Sequence, residues 1–477
     1  MQLYALLENN AKTSLPDMEI TGLTDDSRKV QPGMLFACIR GERFDGHTAA
    51  KDVLERGAAA VLADHDLGLG DRQILTEDTR ALYGKLCAAW FGHPERKMRF
   101  IGVTGTNGKT TITNLIKHIL TENGHKVGLI GTIQNEIGDE IIHTDNTTPF
   151  VYDLMALYAR MAEAGCDDVV MEVSSFGLVQ QRIGETHFAA AAFTNLTQDH
   201  LDYHGTMENY YQAKKLLFQR CDTAIIDTDD EYGKRLYGEV TCPRISYGSS
   251  SQADFYADAI KLRADGTSFW LCCGGKSYPV NLHLTGMFNV SNALAAVASC
   301  HAVGLSMREI RTALETCTGV RGRCEVIPTG RDFTVICDYA HTPDAVENIL
   351  RSVKEYTKGR LICLFGCGGN RDATKRPKMA KAAAKYADFL VITSDNPRDE
   401  EPEAIVADIL TGLEGSDVPY EVVKDAILRS MQMAQPGDVI VLAGKGHEDY
   451  QVLKNGVHIH MDEREIVRDC LPLVPER

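Results

Sequence analysis

Short apolar runs punctuated by turn-forming residues dominate the first part of the chain. Segments 34–39 (Met-Leu-Phe-Ala-Cys-Ile) and 59–63 (Ala-Ala-Val-Leu-Ala) are too short for amphipathic helices and predict strands of a small α/β unit. His93-Pro94-Glu95 predicts its exit, giving a first domain over 1–95. The pattern then changes to strand, Gly-rich turn and helix: an apolar run at 99–103, glycines at 105 and 108, and a helical stretch over about 110–122. Strand candidates at 168–173 and 223–226 extend this second unit, 96–318. After Gly319-Val320-Arg321-Gly322-Arg323, strands at 334–337, 361–365, 389–392 and 439–442 alternate with helical stretches through 319–477. Such alternation predicts parallel sheets wound with crossover helices, so both larger units are expected to be doubly wound. Pivots are expected near Glu95 and Thr318.

Composition narrows the class without changing this outline. A chain of 477 residues exceeds one ordinary core, which agrees with three domains. With 44% hydrophobic and 24% charged residues it is of globular type, and a net charge of −16 argues against binding nucleic-acid backbones, so any phosphate should be held locally. The 14 cysteines show no paired CxxC elements, and reduced structural thiols are expected. No secretory signal and no membrane-spanning stretch are evident, which points to the cytoplasm.

Candidate chemistry starts at Gly105-Thr106-Asn107-Gly108-Lys109-Thr110-Thr111, between an apolar strand and a helix. There, backbone N–H groups and the helix N-terminus can cradle phosphates, Lys109 can neutralise β- and γ-oxygens, and the Thr110 hydroxyl can ligate magnesium. ATP is the predicted ligand. The segment lacks the first glycine of the commonest phosphate loop, that position being Val103. The fold class expected is therefore α/β with three domains: a small N-terminal α/β domain, a central P-loop ATPase domain with a mostly parallel sheet, and a C-terminal Rossmann-like domain.

Glu172-Val173-Ser174-Ser175 follows a strand, and the loop 194–205 gathers Asp199, His200, Asp202 and His204 ahead of a helix carrying Lys214. Singly, Glu172 reads as a helix cap, His200 as a satisfied histidine and Lys214 as a solvated lysine. Conjunction with the phosphate loop favours a site at the carboxyl edge of a parallel sheet. Together with Thr24-Asp25-Asp26-Ser27-Arg28, Asn146-Thr147-Thr148, the segment 286–293, Asp338-Tyr339-Ala340-His341-Thr342-Pro343, Asp395-Asn396-Pro397-Arg398 and Gly444-Lys445-Gly446-His447-Glu448, these stretches resemble the Mur ligase family along essentially the whole chain.

The resemblance implies ATP-dependent ligation: a carboxylate takes phosphate from ATP, and an amine attacks the acyl phosphate. It implies Lys109, His200 and Lys214 as catalytic residues. ATP contacts would come from Gly105, Thr106, Asn107, Gly108, Lys109, Thr110, Thr111, Asn289, Arg323 and Asp338. Magnesium would be held by Thr110 and Glu172, with a second ion served by His200 and a carbamylated Lys214. The nucleotide-linked substrate, UDP-N-acetylmuramoyl-L-alanyl-D-glutamate, would meet Ser27, Asn146, Thr147, Thr148, Ser174, Gln180 and Arg182. The incoming amine implied is meso-diaminopimelate, recognised by Arg371, Asp395, Asn396, Pro397, Arg398, Gly444 and Glu448. An arginine fork at 398 suits its extra carboxylate and is useless to lysine, the rival substrate within the family. Three small-molecule substrates, no nucleic acid, no membrane span and a monomeric state complete the expectation. A scaffold that has lost turnover is the alternative of another class, and intact Lys109, Thr110, Glu172, His200 and Lys214 speak against it. Two departures stand out: Phe176 where many relatives carry His, and Val422-Val423 where relatives often carry Asp-Arg.

Overall fold

The computed structural model describes all residues except 42, 43, 264, 265, 476 and 477. Three sheets built mostly of parallel strands follow one another along the chain, with a separate two-stranded ribbon near the end. The first has four parallel strands in sequence order, Leu23–Thr24, Leu35–Ala37, Ala60–Ala63 and Gln73–Leu75. Strand alternation splits its side chains between two cores. Phe36, Val61 and Ala63 face Val53 and Leu54 of the helix Ala50–Glu55, while Leu35, Ala37 and Leu62 face the helix Thr79–Trp90.

The second core does not stop at the first unit. It runs on through Phe100 and Phe188 of the next sheet and Tyr158 of the helix Val151–Glu163, so the two units share buried surface. Glu95, expected at a pivot, is itself buried, and its carboxylate pairs with His93 and Arg96. No slack is evident there.

The central sheet has eleven strands. Its middle is parallel, in the order Arg244–Gly248, Cys221–Asp227, Phe188–Phe193, Arg99–Thr104, Asp168–Glu172 and Val127–Ile130. Antiparallel hairpins extend both edges, a feature the expectation of a simple doubly wound unit omits. One extension, Phe255–Arg263 with Gly266–Cys273 and Lys276–Leu282, mixes exposed and half-buried residues with buried ones, so it lacks the unbroken apolar runs that announce the inner strands.

The third sheet has the order Glu325–Ile327, Thr334–Asp338, Val439–Ala443, Leu361–Phe365, Phe389–Ile392, Tyr420–Val422, parallel except for its first strand. Here Ile336, Cys363, Phe365 and Val441 face the helices Pro343–Lys354 and Lys375–Ala384, and Val335, Ile362, Leu364 and Ile440 face Ala426–Met433 and Glu463–Cys470. A sheet covered on both faces explains why the strands Val439–Ala443, Leu361–Phe365 and Phe389–Ile392 are apolar at every position. All 14 cysteines are free thiols. Among the described residues no helix is long and apolar enough to cross a membrane.

Candidate functional site

The strand Arg99–Thr104 delivers the Gly-rich turn to the N-terminus of the helix Lys109–Glu122. Two glycines are obligatory. A Cβ at Gly105 would lie 1.8 Å from Thr194 Oγ1, and one at Gly108, whose φ is 89°, would lie 2.6 Å from Asn292 Oδ1. The turn is thus clamped between the loop after the strand Phe188–Phe193 and the helix Met287–Ala302. Thr194 Oγ1 donates to Asn107 O at 2.6 Å, and Asn107 N donates to Asn195 Oδ1 at 2.9 Å.

Two lysines converge on this turn. Lys109 Nζ donates to Gly105 O and Thr106 O, both at 2.8 Å, and Lys214 Nζ donates to Gly105 O at 2.8 Å. Lys214 is 1% exposed, which removes the reading of a solvated helix lysine. Burial, with Lys109 alongside, holds its amine well below the ordinary lysine range. Burial also lowers Lys109, with Glu172 and Asp199 pulling the other way.

Glu172, at the end of its strand, is buried and accepts from three groups: Thr110 Oγ1 at 3.0 Å, Thr132 N at 2.9 Å and Thr132 Oγ1 at 2.9 Å. A helix cap it is not. Arg323 reaches across from the third unit to donate to Thr110 Oγ1 at 3.2 Å, with its guanidinium 4.6 Å from the Tyr339 ring. Asp338 accepts from Cys324 N at 2.7 Å and also interacts with the Ala340 backbone; burial raises its pKa despite Arg323. Asn107 Nδ2 and Thr197 Oγ1 both donate to Asp344 Oδ2, at 2.8 and 3.4 Å, which ties the turn to the third unit.

Most of these groups line one cavity of about 320 Å³ between the second and third units, within the roughly 300–1,000 Å³ usual for ligand sites. Of the sequence-selected residues, Thr106 to Thr111, Thr147, Glu172, Ser174, His200, Lys214, Arg323 and Asp338 line it. Asn289 stands one layer back: it donates to Thr285 O and accepts from Asn292, which does line the cavity. Asp199, Asn195, Tyr339 and His341 line it too and were not selected, although all four lie inside quoted segments. Burial, then Lys375, brings His341 down to about 4.

Three family profiles match the chain in succession: Mur ligase family, catalytic domain over residues 19–85; Mur ligase middle domain over 103–300; and Mur ligase, glutamate ligase domain over 322–446. A protein of Syntrophomonas wolfei named UDP-N-acetylmuramoyl-L-alanyl-D-glutamate--2,6-diaminopimelate ligase is 45% identical over 485 positions, covering 99% of both chains. The chain belongs to the Mur ligase family. A Clostridioides difficile protein of the same name is 43% identical across 97% of each chain. A solved structure under that name shares 31% identity, with a TM-score of 0.73 over 99% of both chains. MurF from Acinetobacter baumannii, at 19% identity and a TM-score of 0.65 over 98% of each chain, shares the fold.

Within this Mur ligase, a second polar cluster adjoins the cavity. Arg182 is 8% exposed, not a surface arginine. Its Nε and Nη2 donate to Gln180 Oε1 at 3.0 and 2.8 Å, its Nη1 donates to Thr148 O at 2.8 Å, and its guanidinium stacks 4.0 Å from the Phe150 ring. Thr148 Oγ1 donates to Glu172 O and accepts from Ser174 N, both at 3.0 Å, so this cluster and the carboxylate are mechanically coupled. Asn146 accepts from Arg182 at 3.4 Å. Ser27 does not line this cavity; it sits in the turn Ser27–Lys29 of the first unit, its carbonyl accepting from Arg56 at 2.7 Å.

The third cluster lies in the third unit. Asn396 Nδ2 donates to Glu448 Oε2 at 2.9 Å, and Lys445 Nζ donates to Asn396 Oδ1 at 3.1 Å while lying 3.3 Å from Asp395 and 3.6 Å from Glu448. Lys445, 3% exposed, was missed as a site residue although it lies inside a quoted motif. Gly444 closes the neighbouring strand, and Pro397 leads into Arg398, which has a left-handed φ of 54°. Arg398 Nη1 donates to Gly369 O at 3.0 Å, and a Cβ on Gly368 would sit 2.8 Å from Arg398 and 3.9 Å from Arg371, so the two arginines flank one glycine. Burial raises Glu448.

Phe176 finds a structural reason and Val422 does not. The Phe176 ring packs against His200, Tyr203 and His204 with centroids at 5.1, 4.3 and 5.7 Å. The ring forms an aromatic wall beside His200. Val422 ends an edge strand and is 51% exposed; nothing in the structure explains its choice over a polar residue.

Proposed function

We propose that this Mur ligase joins meso-2,6-diaminopimelate to UDP-N-acetylmuramoyl-L-alanyl-D-glutamate at the expense of ATP, releasing ADP and phosphate. The observation that carries the reading is the single cavity in which the phosphate turn, Glu172, Lys214, Arg323 and Asp338 meet. ATP would enter with its phosphates over Gly105 to Thr111, the Lys109 amine exchanging the Gly105 and Thr106 carbonyls for phosphate oxygens. Arg323 and Asp338 would meet the nucleotide from the third unit, and Asn289 would support it through Asn292. Two anions, triphosphate and substrate carboxylate, can approach because Lys109 and Arg323 offset their charge and oriented N–H groups stabilise the transferring phosphoryl group.

Thr110 and Glu172 present hard oxygen donors, a buried carboxylate among hydroxyls, which suits magnesium. His200 and Lys214 would serve a second ion once Lys214 is carbamylated. An amine held towards its neutral form can attack carbon dioxide: the N–C bond forms, a proton leaves, and the product is an anionic oxygen ligand. Bound magnesium would neutralise charge developing on the phosphoryl oxygens.

Ser27 with the cluster of Asn146, Thr147, Thr148, Ser174, Gln180 and Arg182 would receive the nucleotide-linked substrate. Arg371, Asp395, Asn396, Pro397, Arg398, Gly444 and Glu448 would receive the diamino acid, its carboxylate on the arginine forks and its distal ammonium near Gly444 and Glu448. The enzyme would act as a cytoplasmic monomer of three domains, 1–95, 96–318 and 319–477. Phosphate release by purified protein with ATP, magnesium and the UDP-dipeptide tests this, with meso-diaminopimelate, L-lysine and D-alanyl-D-alanine as competing acceptors. Release with meso-diaminopimelate at least tenfold above the others is expected; equal or greater release with L-lysine would overturn the assignment.

A further inference from the structure

A group of side chains in the first unit takes no part in the cavity or the two polar clusters described above. The strand Ala60–Ala63 ends at Asp64-His65, beside the turn Gly46–Ala49 that holds His47. Asp45 caps that turn with its Oδ1, which accepts from His47 N at 3.1 Å and lies 2.6 Å from His47 Nδ1, while its Oδ2 accepts from Arg40 Nε at 3.2 Å. Asp45 is fully engaged, and its contact assigns the imidazole proton to Nδ1.

That assignment leaves Nε2 as a lone-pair donor. The His47 side chain is 5% exposed, and Nε2 is buried without a hydrogen-bond partner, although Asp64 Oδ1 lies 3.1 Å away. Two electron-pair donors therefore face each other, one of them buried, an arrangement that a positive centre between them would stabilise. His65 Nδ1 stands 2.5 Å from the same Asp64 oxygen, and the two imidazole rings lie 4.8 Å apart. One donor atom from each of the three residues falls within 4.8 Å of the others.

We propose that His47, Asp64 and His65 bind a divalent transition cation of the zinc type, with Asp45 as the residue that positions His47. Two imidazole nitrogens and one carboxylate oxygen match that class, whose bonds of about 2 Å place tetrahedral ligands roughly 3.4 Å apart. Small side-chain shifts reach this spacing. A carboxylate holding the far nitrogen of a ligating histidine is the usual support of such sites. Asp64 and His65 are 37% and 52% exposed, which leaves an entry path and a fourth position for water. The ion would fasten the end of a strand to the turn beside it.

The rival positive centre is a proton, giving an imidazolium at His47, and the test separates the two. Metal-free full-length protein is dialysed against zinc in excess magnesium, and bound zinc is counted for wild type, Asp64→Asn, His65→Ala and Asp45→Asn. Wild type should hold one zinc per chain more than D64N or H65A; D45N should bind that zinc about 10- to 100-fold more weakly. Cobalt in place of zinc should give the strong visible bands of a four-coordinate site in wild type and not in D64N or H65A. H65A, whose side chain is exposed, should keep its phosphate release at saturating magnesium. Equal zinc counts in wild type, D64N and H65A would overturn the proposal, as would a wild type without that zinc whose His47 shows protons on both ring nitrogens.

Discussion

At the scale of single residues, burial changes chemistry more than identity does. Lys214 and Arg182 look like ordinary surface cations in sequence, and no periodicity around them announces otherwise; both are under 10% exposed because long-range loops close over them. A fully buried amine is disfavoured as a cation, which is the condition for carbamate formation. We expect Lys214→Arg to lower ligase turnover by about 100-fold, the scale of losing one preorganised electrostatic group. Wild-type activity should fall in carbon-dioxide-free buffer and return with bicarbonate; indifference of the wild type to bicarbonate would remove the carbamate from the mechanism. Arg398 offers a cleaner comparison. Its φ of 54° is strained for any side chain, so Arg398→Gly keeps the backbone content while removing the fork. Both Arg398→Gly and Arg398→Ala should raise the KM for meso-diaminopimelate at least tenfold and leave that for ATP within twofold. The alanine variant should also melt below the glycine variant, since only alanine keeps a Cβ at that φ, which calorimetry would report.

At the scale of elements, legibility followed burial. The strands Leu361–Phe365 and Phe389–Ile392 fall where the apolar runs place them, because a strand covered on both faces has no polar position to blur its ends. The edge hairpins of the central sheet carry no such run and stayed unseen. Turn chemistry was legible where glycine is compulsory: Gly105 marks a turn in which no side chain fits. Gly105→Ala should abolish nucleotide-dependent turnover, a loss of at least 100-fold, since relieving a 1.8 Å approach to Thr194 moves the whole cradle. A variant with near-normal phosphate release would show that the cradle is not where ATP is used. The helix Glu463–Cys470 illustrates what sequence hides. Glu463 is 4% exposed, 3.3 Å from Cys337 Sγ, and burial pushes its carboxyl up to about 7. Its folded pKa exceeds its unfolded value of 4.5, so its contribution to stability is whole below pH 4.5 and lost as pH rises through 7. Relative to Glu463→Gln, wild type should therefore lose urea midpoint between pH 5 and 8; a constant difference would mean the group does not titrate in that window.

At the scale of the whole molecule, the site exists only because two sheets far apart in sequence face each other. Motif reading found both halves but not the contacts that join them, since nothing local predicts a hydrogen bond between residues 237 positions apart. The Asp344 carboxylate is that join: it accepts from Asn107 in the phosphate turn and from Thr197 beside it, while Arg323 reaches Thr110 from the same side. The first and second units, by contrast, share one core and should move together. Motion that admits ATP must then fall between the second and third units, near the expected pivot at Thr318. Each hydrogen bond contributes about 1 kcal/mol, so removing the acceptor of both the Asn107 and the Thr197 bond, about 2 kcal/mol together, should shift the closed-to-open ratio about 30-fold. Asp344→Ala should raise the KM for ATP by that factor, enlarge the radius of gyration without nucleotide in small-angle scattering, and return to the wild-type value with ADP and magnesium. An unchanged radius and KM would mean that Asp344 merely decorates an interface held by Arg323 and the surrounding packing.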